Sequence, residues 1–317
     1  MSVLAFDYIT VIAAIVLLLI VPLLISYLCY RITFGAEKRA TNPKAPIKLK
    51  CYPLIKDRMN AYIDASAALP CERVTITARD GTRLTARYYH RADGAPLEIH
   101  VHGYRGNALR DFCSGPTDSL ERGNNLLLID QRAHGGDGRC ITFGVKERYD
   151  LLAWIDYAVE RFGADVKIVL IGISMGASTV LMAAALGLPD SVKCIVADSP
   201  YTSPEAIIKK VTRSIGIPPS IAFPFIRRGA IIFGGFDPRS ADLLKTVWRV
   251  KVKTLIIHGE EDSLIPLEMS RQLLQEAGDA PIRLITFPGA DHGMSYFTDS
   301  RRYLDEVTAL MRETLNA

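Results

Sequence analysis

The segment Gly172-Ile173-Ser174-Met175-Gly176 sets a serine between two flanking glycines. Three fixed residues at about 7% each give roughly 0.1 chance matches in a chain this long, so the motif needs its setting. It follows an apolar run at residues 166–171 and opens a small-residue stretch at 177–186, which Gly187 and Pro189 close. A serine on a tight strand-to-helix turn projects its hydroxyl beside the positive end of the helix, where a base can reach it. The glycines let strand and helix approach without Cβ clashes. Serine also suits an ordinary helix N-cap, so the chemistry depends on partners elsewhere in the chain.

A serine hydroxyl is a weak nucleophile until a base takes its proton. The six histidines are His90, His100, His102, His134, His258 and His292. Only His292, in Gly289-Ala290-Asp291-His292-Gly293, follows the last strand candidate and completes the chain order Ser…Asp…His. His102 and His258 end strands beside glycines and read as structural, and His134 sits in a turn-rich stretch and reads as a loop brace. Asp262 follows the penultimate strand, where a carboxylate would hold the imidazole tautomer and stabilise the imidazolium. Asp198, at the end of the strand at 192–197, is the rival; Glu261 faces the other way on extended backbone. The oxyanion needs donors, for which the backbone N–H groups of Met175 and Tyr104 are the candidates. Tyr104 lies in His102-Gly103-Tyr104-Arg105-Gly106-Asn107, after the strand at 97–101. The five-residue core of the site is therefore Ser174, Asp262 and His292 with the Tyr104 and Met175 amides.

The surrounding pattern supplies elements to carry these groups. Val74, Ile76 and Ala78 alternate with polar residues, as do Leu84, Ala86 and Tyr88, and Asp80-Gly81 between them predicts a hairpin with a two-residue turn. Short apolar runs follow at 97–101, 126–129, 166–171, 192–197, 254–257 and 282–287, which suit strands buried on both faces. Helical stretches at 147–162, 176–186, 267–277 and 301–315 alternate with them. That alternation predicts an α/β fold, a mostly parallel central sheet with helices on both faces. Residues 201–250 break the rhythm with Pro204, Pro218, Pro219 and Pro224 and several isoleucine clusters, and predict a helical cap insertion near the ligand-binding edge of the sheet.

These residues resemble the α/β-hydrolase superfamily over about residues 72–315. The HGYRGN loop, DQRAHG turn, GISMGAS elbow, DSPYTS segment, HGEEDSLIP acid loop and GADHG histidine loop are similar to the markers of its serine aminopeptidase-like group of lid-bearing esterases and lipases. The resemblance implies the α/β-hydrolase fold and hydrolysis through an acyl-enzyme. Peptidase members often carry two glycines after the elbow serine and an extra recognition domain; here Ala177 follows Gly176 and no such domain fits. Dehalogenases and epoxide hydrolases place an Asp at the elbow, where this chain has Ser174.

The N-terminus is of another kind. From Tyr8 to Tyr30 there is no charge, and residues 9–25 are almost continuously aliphatic, interrupted by Thr10 and Pro22. About 20 apolar residues span a bilayer core of about 30 Å, so one transmembrane helix is expected. A cleaved signal peptide would want a basic n-region and a small-residue cleavage site, whereas only Asp7 precedes the run and bulky residues follow it. Arg31, Lys38, Arg39, Lys44, Lys48 and Lys50 against Glu37 alone put the C-terminal side in the cytoplasm. Six cysteines without CxxC pairs fit free thiols there. The organisation is thus an anchor at 1–34, a basic linker and short helix at 35–70, and a hydrolase domain at 71–317.

With hydrophobic residues at 49%, charged residues at 23% and a net charge of +4, a full core is available and no nucleic-acid footprint is present. No metal or redox cofactor is suggested. The expected activity is cleavage of carboxylic ester, thioester or lipid acyl bonds, with the bilayer as the N-terminal partner. The alternatives are a serine peptidase of the same superfamily and a membrane-tethered scaffold with a vestigial site.

Overall fold

Residues 2–36, 42–45, 52–134 and 137–316 are described by the computed structural model, with side chains from Tyr8 onward. Glu37, Lys38, Arg39, Pro46, Lys48, Lys50 and Cys51 of the basic segment lie outside these residues. The chain opens with helix α1 (Ser2–Ile15), one wide π turn (Val16–Ile20) and helix α2 (Val21–Phe34). The wide turn comes just before Pro22, which has no N–H to offer the preceding carbonyls. The helical stretch Tyr8–Phe34 is 27 residues long and contains an 18-residue window of mean hydropathy 3.0, long and apolar enough to cross a membrane. Helix α3 (Tyr52–Ala68) follows.

Strands β1 (Glu72–Thr77) and β2 (Arg83–Tyr89) form the hairpin, with Ile76 opposite Leu84 and Val74 opposite Ala86. The turn differs from the two-residue expectation. Ala78 N–H donates to Thr82 O at 2.8 Å and Gly81, at φ +82°, closes a three-residue loop over 79–81. A two-residue loop would pair even-numbered with odd-numbered residues and set Ile76 opposite Thr85, sending the two apolar faces to opposite sides. The sheet's need for one apolar face decides the register, and an Asp-Gly pair serves either loop.

The remaining elements alternate. They are β3 (Leu97–Val101), α4 (Ala108–Asp111), α5 (Gly115–Glu121), β4 (Asn125–Asp130), α6 (Glu147–Phe162), β5 (Ile168–Ile173), α7 (Met175–Ala184) and β6 (Val192–Asp198). Next come α8 (Pro204–Ser214), α9 (Pro219–Gly229), β7 (Lys253–Gly259), α10 (Leu267–Glu276), β8 (Ile282–Phe287), α11 (Ser295–Thr298) and α12 (Ser300–Leu315). The eight strands run in the order β1-β2-β4-β3-β5-β6-β7-β8, antiparallel at β1-β2-β4 and parallel from there on. This is the α/β-hydrolase fold. Strand residues alternate between faces: Ile168 and Leu170 join the core beneath α6, α7 and α10, while Val169 and Ile171 join that beneath α12.

The cap leaves β6 and returns to β7, its immediate neighbour in the sheet. Ser203 caps α8 by accepting from the Ala206 N–H at 3.1 Å. Helix α9 continues into a second wide turn (Ala230–Gly234). Against this part of the cap lies the end of α2. Ser26, Tyr30 and Phe34 recur at i, i+4 and are buried, Phe34 at 0% exposure. Tyr27 and Tyr30 meet the Phe233 ring at 5.1 and 5.9 Å, and Phe34 meets Phe143 and Phe236 edge-on at 5.7 and 5.1 Å.

Helices α2 and α9 cross with almost no space between backbones: a Cβ at Gly229 would overlap the Ser26 carbonyl oxygen. Gly229→Val should therefore lower the stability of the full-length protein by about 1–3 kcal/mol. Thermal unfolding in detergent reads this as a fall in melting temperature, and an unchanged melting curve would show that the two helices do not touch.

Candidate active site

Strand β5 turns into α7 at Ser174, whose φ of 57° and ψ of −117° lie outside the regions that ordinary side chains favour. The conformation is imposed by its neighbours. A Cβ at Gly172 would overlap the Gly176 carbonyl, and one at Gly176 would overlap the Val101 carbonyl oxygen. The Ser174 N–H donates to the Asp198 carbonyl at 2.7 Å. The start of α7 is thereby clamped against the ends of β3, β5 and β6, with the serine at the apex.

His292 comes to this apex from the loop after β8. Its Nε2 accepts from the Ser174 hydroxyl at 2.9 Å, and its Nδ1–H donates to Asp262 Oδ2 at 2.8 Å. Asp262 also accepts on Oδ1 from the Leu264 and Ile265 N–H groups, at 2.9 and 2.7 Å. Burial alone would raise the Asp262 pKa, but hydrogen bonds to His258 and His292 and the Ile265 amide outweigh it and hold the carboxyl well below the usual range. Asp291 fixes the two loops to each other, its Oδ1 accepting from the Ser263 N–H, the Ser263 hydroxyl and the His292 N–H. Asp198 takes a different place. Its carboxylate accepts from the Ser199 hydroxyl at 3.0 Å, burial pushes its pKa up to about 6, and only its backbone reaches Ser174.

The loop after β3 lies along the other side of the serine, close enough that a Cβ on Gly103 would sit 3.3 Å from the Ser174 Cβ. Asp111 accepts from the Gly103 N–H at 2.9 Å, and Asn107 caps α4 through the Leu109 N–H at 3.0 Å. Three other histidines brace loops. His102 Nε2 accepts from the Gln131 N–H at 3.0 Å, and His134 Nε2 accepts from the Arg105 N–H at 2.9 Å. His258 lies under the acid loop, bonded to the Ser270 hydroxyl and the Ile265 carbonyl. Met175 opens α7, which aims its N–H with the positive end of the helix.

Tyr104 has a role that a reading of its backbone alone does not contain. Its hydroxyl donates to the Thr33 carbonyl of α2 at 2.7 Å, and its ring stacks on Phe143 at 4.7 Å. Arg105 beside it donates from Nη2 to the Ile32 carbonyl at 2.7 Å. The last carbonyls of the N-terminal helix are thus capped by side chains of the active-site loop. No local motif signals a contact between segments so distant in sequence.

Two hollows meet at Ser174. One, of about 260 Å³, is lined by Met59, Arg110, His292, Met294 and Phe297. The other, of about 490 Å³, is almost wholly apolar and runs between Phe143, Tyr201, Ile207, Ile208 and Ile226 of the body and cap. Among the described residues no group of three or more His, Cys, Asp or Glu side chains could hold a metal ion.

Residues 142–317, more than half of the chain, match the prolyl oligopeptidase family. The chain belongs to that family. Among relatives, the YfhR protein of Salmonella typhi is 32% identical over 242 residues, covering 70% of this chain and 74% of that one. The YqkD protein of Bacillus subtilis is 26% identical over 190 residues, 59% of this chain and 62% of its own length. An esterase of Pyrococcus furiosus superposes with a TM-score of 0.63 at 22% identity, covering 79% of this chain and 93% of the esterase. Est1E of Butyrivibrio proteoclasticus, with ferulic acid bound, gives 0.60 at 24% identity over 77% of this chain and 100% of Est1E. This member of the prolyl oligopeptidase family is a serine hydrolase of α/β-hydrolase fold.

His134 generates a test of the loop bracing. Burial first, and His102 next to it, lower its pKa to about 3, against about 6.5 for a free imidazole. Between those values the unfolded chain holds a proton there that the folded chain lacks, so this contribution to stability is complete above about pH 6.5 and falls as pH drops. Asp150 and Asp198, raised to about 6 by burial, act in the opposite sense as pH falls below 6. The informative comparison is therefore with His134→Asn, whose melting temperature should fall less steeply between pH 6.5 and 5 than that of the unsubstituted protein. Parallel slopes would show that the fold does not hold His134 neutral.

Proposed function

We propose that this protein hydrolyses carboxylic esters of acyl-chain substrates, thioesters and lipid esters included, through an acyl-enzyme on Ser174. The observation that carries this reading is the unbroken hydrogen-bonded chain Ser174–His292–Asp262 at the lip of a deep apolar hollow. In the first half-reaction His292 Nε2 takes the Ser174 proton as Oγ bonds to the acyl carbon. The tetrahedral oxyanion accepts from the Tyr104 and Met175 N–H groups, while Asp262 stabilises the imidazolium. Collapse breaks the bond to the leaving alcohol or thiol, and His292 returns the proton to it. Water then repeats the sequence. His292 takes its proton, the oxygen bonds to the acyl carbon, and the Ser174 bond breaks to release the carboxylic acid and restore the hydroxyl.

Fluorophosphonate labelling should be lost in Ser174→Ala. Asp262→Asn should lower kcat by about 10⁴-fold through the wrong tautomer, whereas Asp198→Asn should change it by less than about tenfold. Labelling that survives the Ser174→Ala substitution, or a larger loss of kcat at Asp198→Asn than at Asp262→Asn, would sink the assignment. The peptidase reading draws on the family match over residues 142–317. A matched panel of ester and peptide substrates separates the two, and peptide turnover exceeding ester turnover reverses the order.

The same proposal makes Tyr8–Phe34 a retained bilayer anchor with the hydrolase on the cytoplasmic side. Retention is supported by Tyr30 and Phe34, which belong to the main core and would be lost with a cleaved leader. Protease treatment of intact cells should leave the catalytic domain whole; its removal would invert the orientation.

A further inference from the structure

We infer that the last turns of the anchor helix form one wall of the acyl-binding hollow, so that the substrate is a long-chain monoacyl ester drawn sideways from the bilayer. The inference rests on the esterase reading above and names its substrate class. The larger hollow at Ser174 is lined on the cap side by Val211, Ile215 and Ile217, and on the helix side by Cys29, Ile32 and Thr33 of α2. These three residues sit at i, i+3 and i+4, one stripe of the helix. The stripe is held in place from both directions. The Tyr104 hydroxyl and the Arg105 guanidinium bond to the carbonyls of Thr33 and Ile32, and Gly229 lets α9 close on Ser26.

Depth points the same way. About 20 helical residues cross a hydrocarbon core of about 30 Å, and counted from Tyr8 they end near Tyr27. The cap touches the helix at that level, where Ser26 meets Gly229 and Tyr27 meets Phe233. The cap around this contact exposes Ile215 at 65%, Ile221 at 61% and Ile232 at 53%. An apolar surface of that kind beside a spanning helix seats in the boundary between acyl tails and headgroups. The mouth of the hollow then opens where lipid ester bonds lie. One apolar hollow leads to Ser174 and takes one chain, while the smaller hollow lined by Arg110 and Met59 takes the alcohol side.

The full-length protein in phosphatidylcholine vesicles tests this with p-nitrophenyl palmitate and p-nitrophenyl acetate. Ile32 is 70% exposed, so Ile32→Trp fills the hollow without displacing core. The palmitate-to-acetate ratio of kcat/KM should fall at least tenfold in Ile32→Trp, and in Ile32→Ala the KM for palmitate alone should rise. Leu18→Trp, in the wide turn that precedes α2 and 70% exposed, should keep the unsubstituted ratio. A ratio unchanged in both Ile32 variants, whether the two rates persist or fall together, overturns the wall. Absence of any ester turnover by the unsubstituted protein would instead overturn the esterase reading itself.

Discussion

The site depends on one steric constraint, the side-chain-free approach of α7 to the ends of β3 and β5. Gly176 lies so near the Val101 carbonyl, and Gly172 so near Gly176, that a single methyl group at either would force helix and sheet apart. That closeness bends the chain into the disfavoured dihedrals of Ser174 and aims its hydroxyl outward. The strain is of order 1–3 kcal/mol and persists because three strands and a helix over-determine the turn. Every other catalytic candidate arrives by loops that leave the same sheet edge, so their distances to Ser174 inherit the accuracy of this one contact.

Around the elbow, polar groups are arranged to keep charge where it is useful. Asp262 is buried yet held ionised by two imidazoles and two amides, while Asp198, buried without comparable donors, is pushed toward the neutral form. Two carboxylates near one imidazole thus differ through their hydrogen bonds rather than their burial. Asp291 and Asp111 do mechanical work on either side, one joining the acid and histidine loops and the other holding the Gly103 amide.

Much of this was legible in the sequence because it is local. Leu97–Val101 and Ile282–Phe287 coincide with the strand runs expected at 97–101 and 282–287, their aliphatic residues outweighing the polar ones between them. Ser174, Asp262 and His292 each sit just after a strand run, which is enough to bring them to one edge of a parallel sheet. The hairpin loop is one residue longer than Asp80-Gly81 alone implies, because that pair satisfies two turn types and only the facing of Val74 and Ile76 against the sheet separates them. The side chains of Tyr104 and Arg105 were illegible in a stronger sense. Their partners are backbone carbonyls of α2, and a carbonyl leaves no trace in residue type. Burial of Phe34 has no local signal, because it lies past the uncharged run beside Arg31, Thr33 and Gly35, although Ser26, Tyr30 and Phe34 at four-residue intervals mark one face of the helix.

The aromatic cluster that receives Phe34 has a consequence for how the molecule assembles. Phe143 and Phe236 come from the body and from the cap, far downstream of the helix they enclose. During synthesis the helix is complete long before either ring exists, and its contacts carry a high contact order. Tyr30 and Phe34 therefore wait as exposed apolar surface until the cap has been made. Any compartment that shelters the helix in the interval acts as a holdase for the nascent hydrolase, and folding of the catalytic half ends, rather than begins, with closure onto its own first segment.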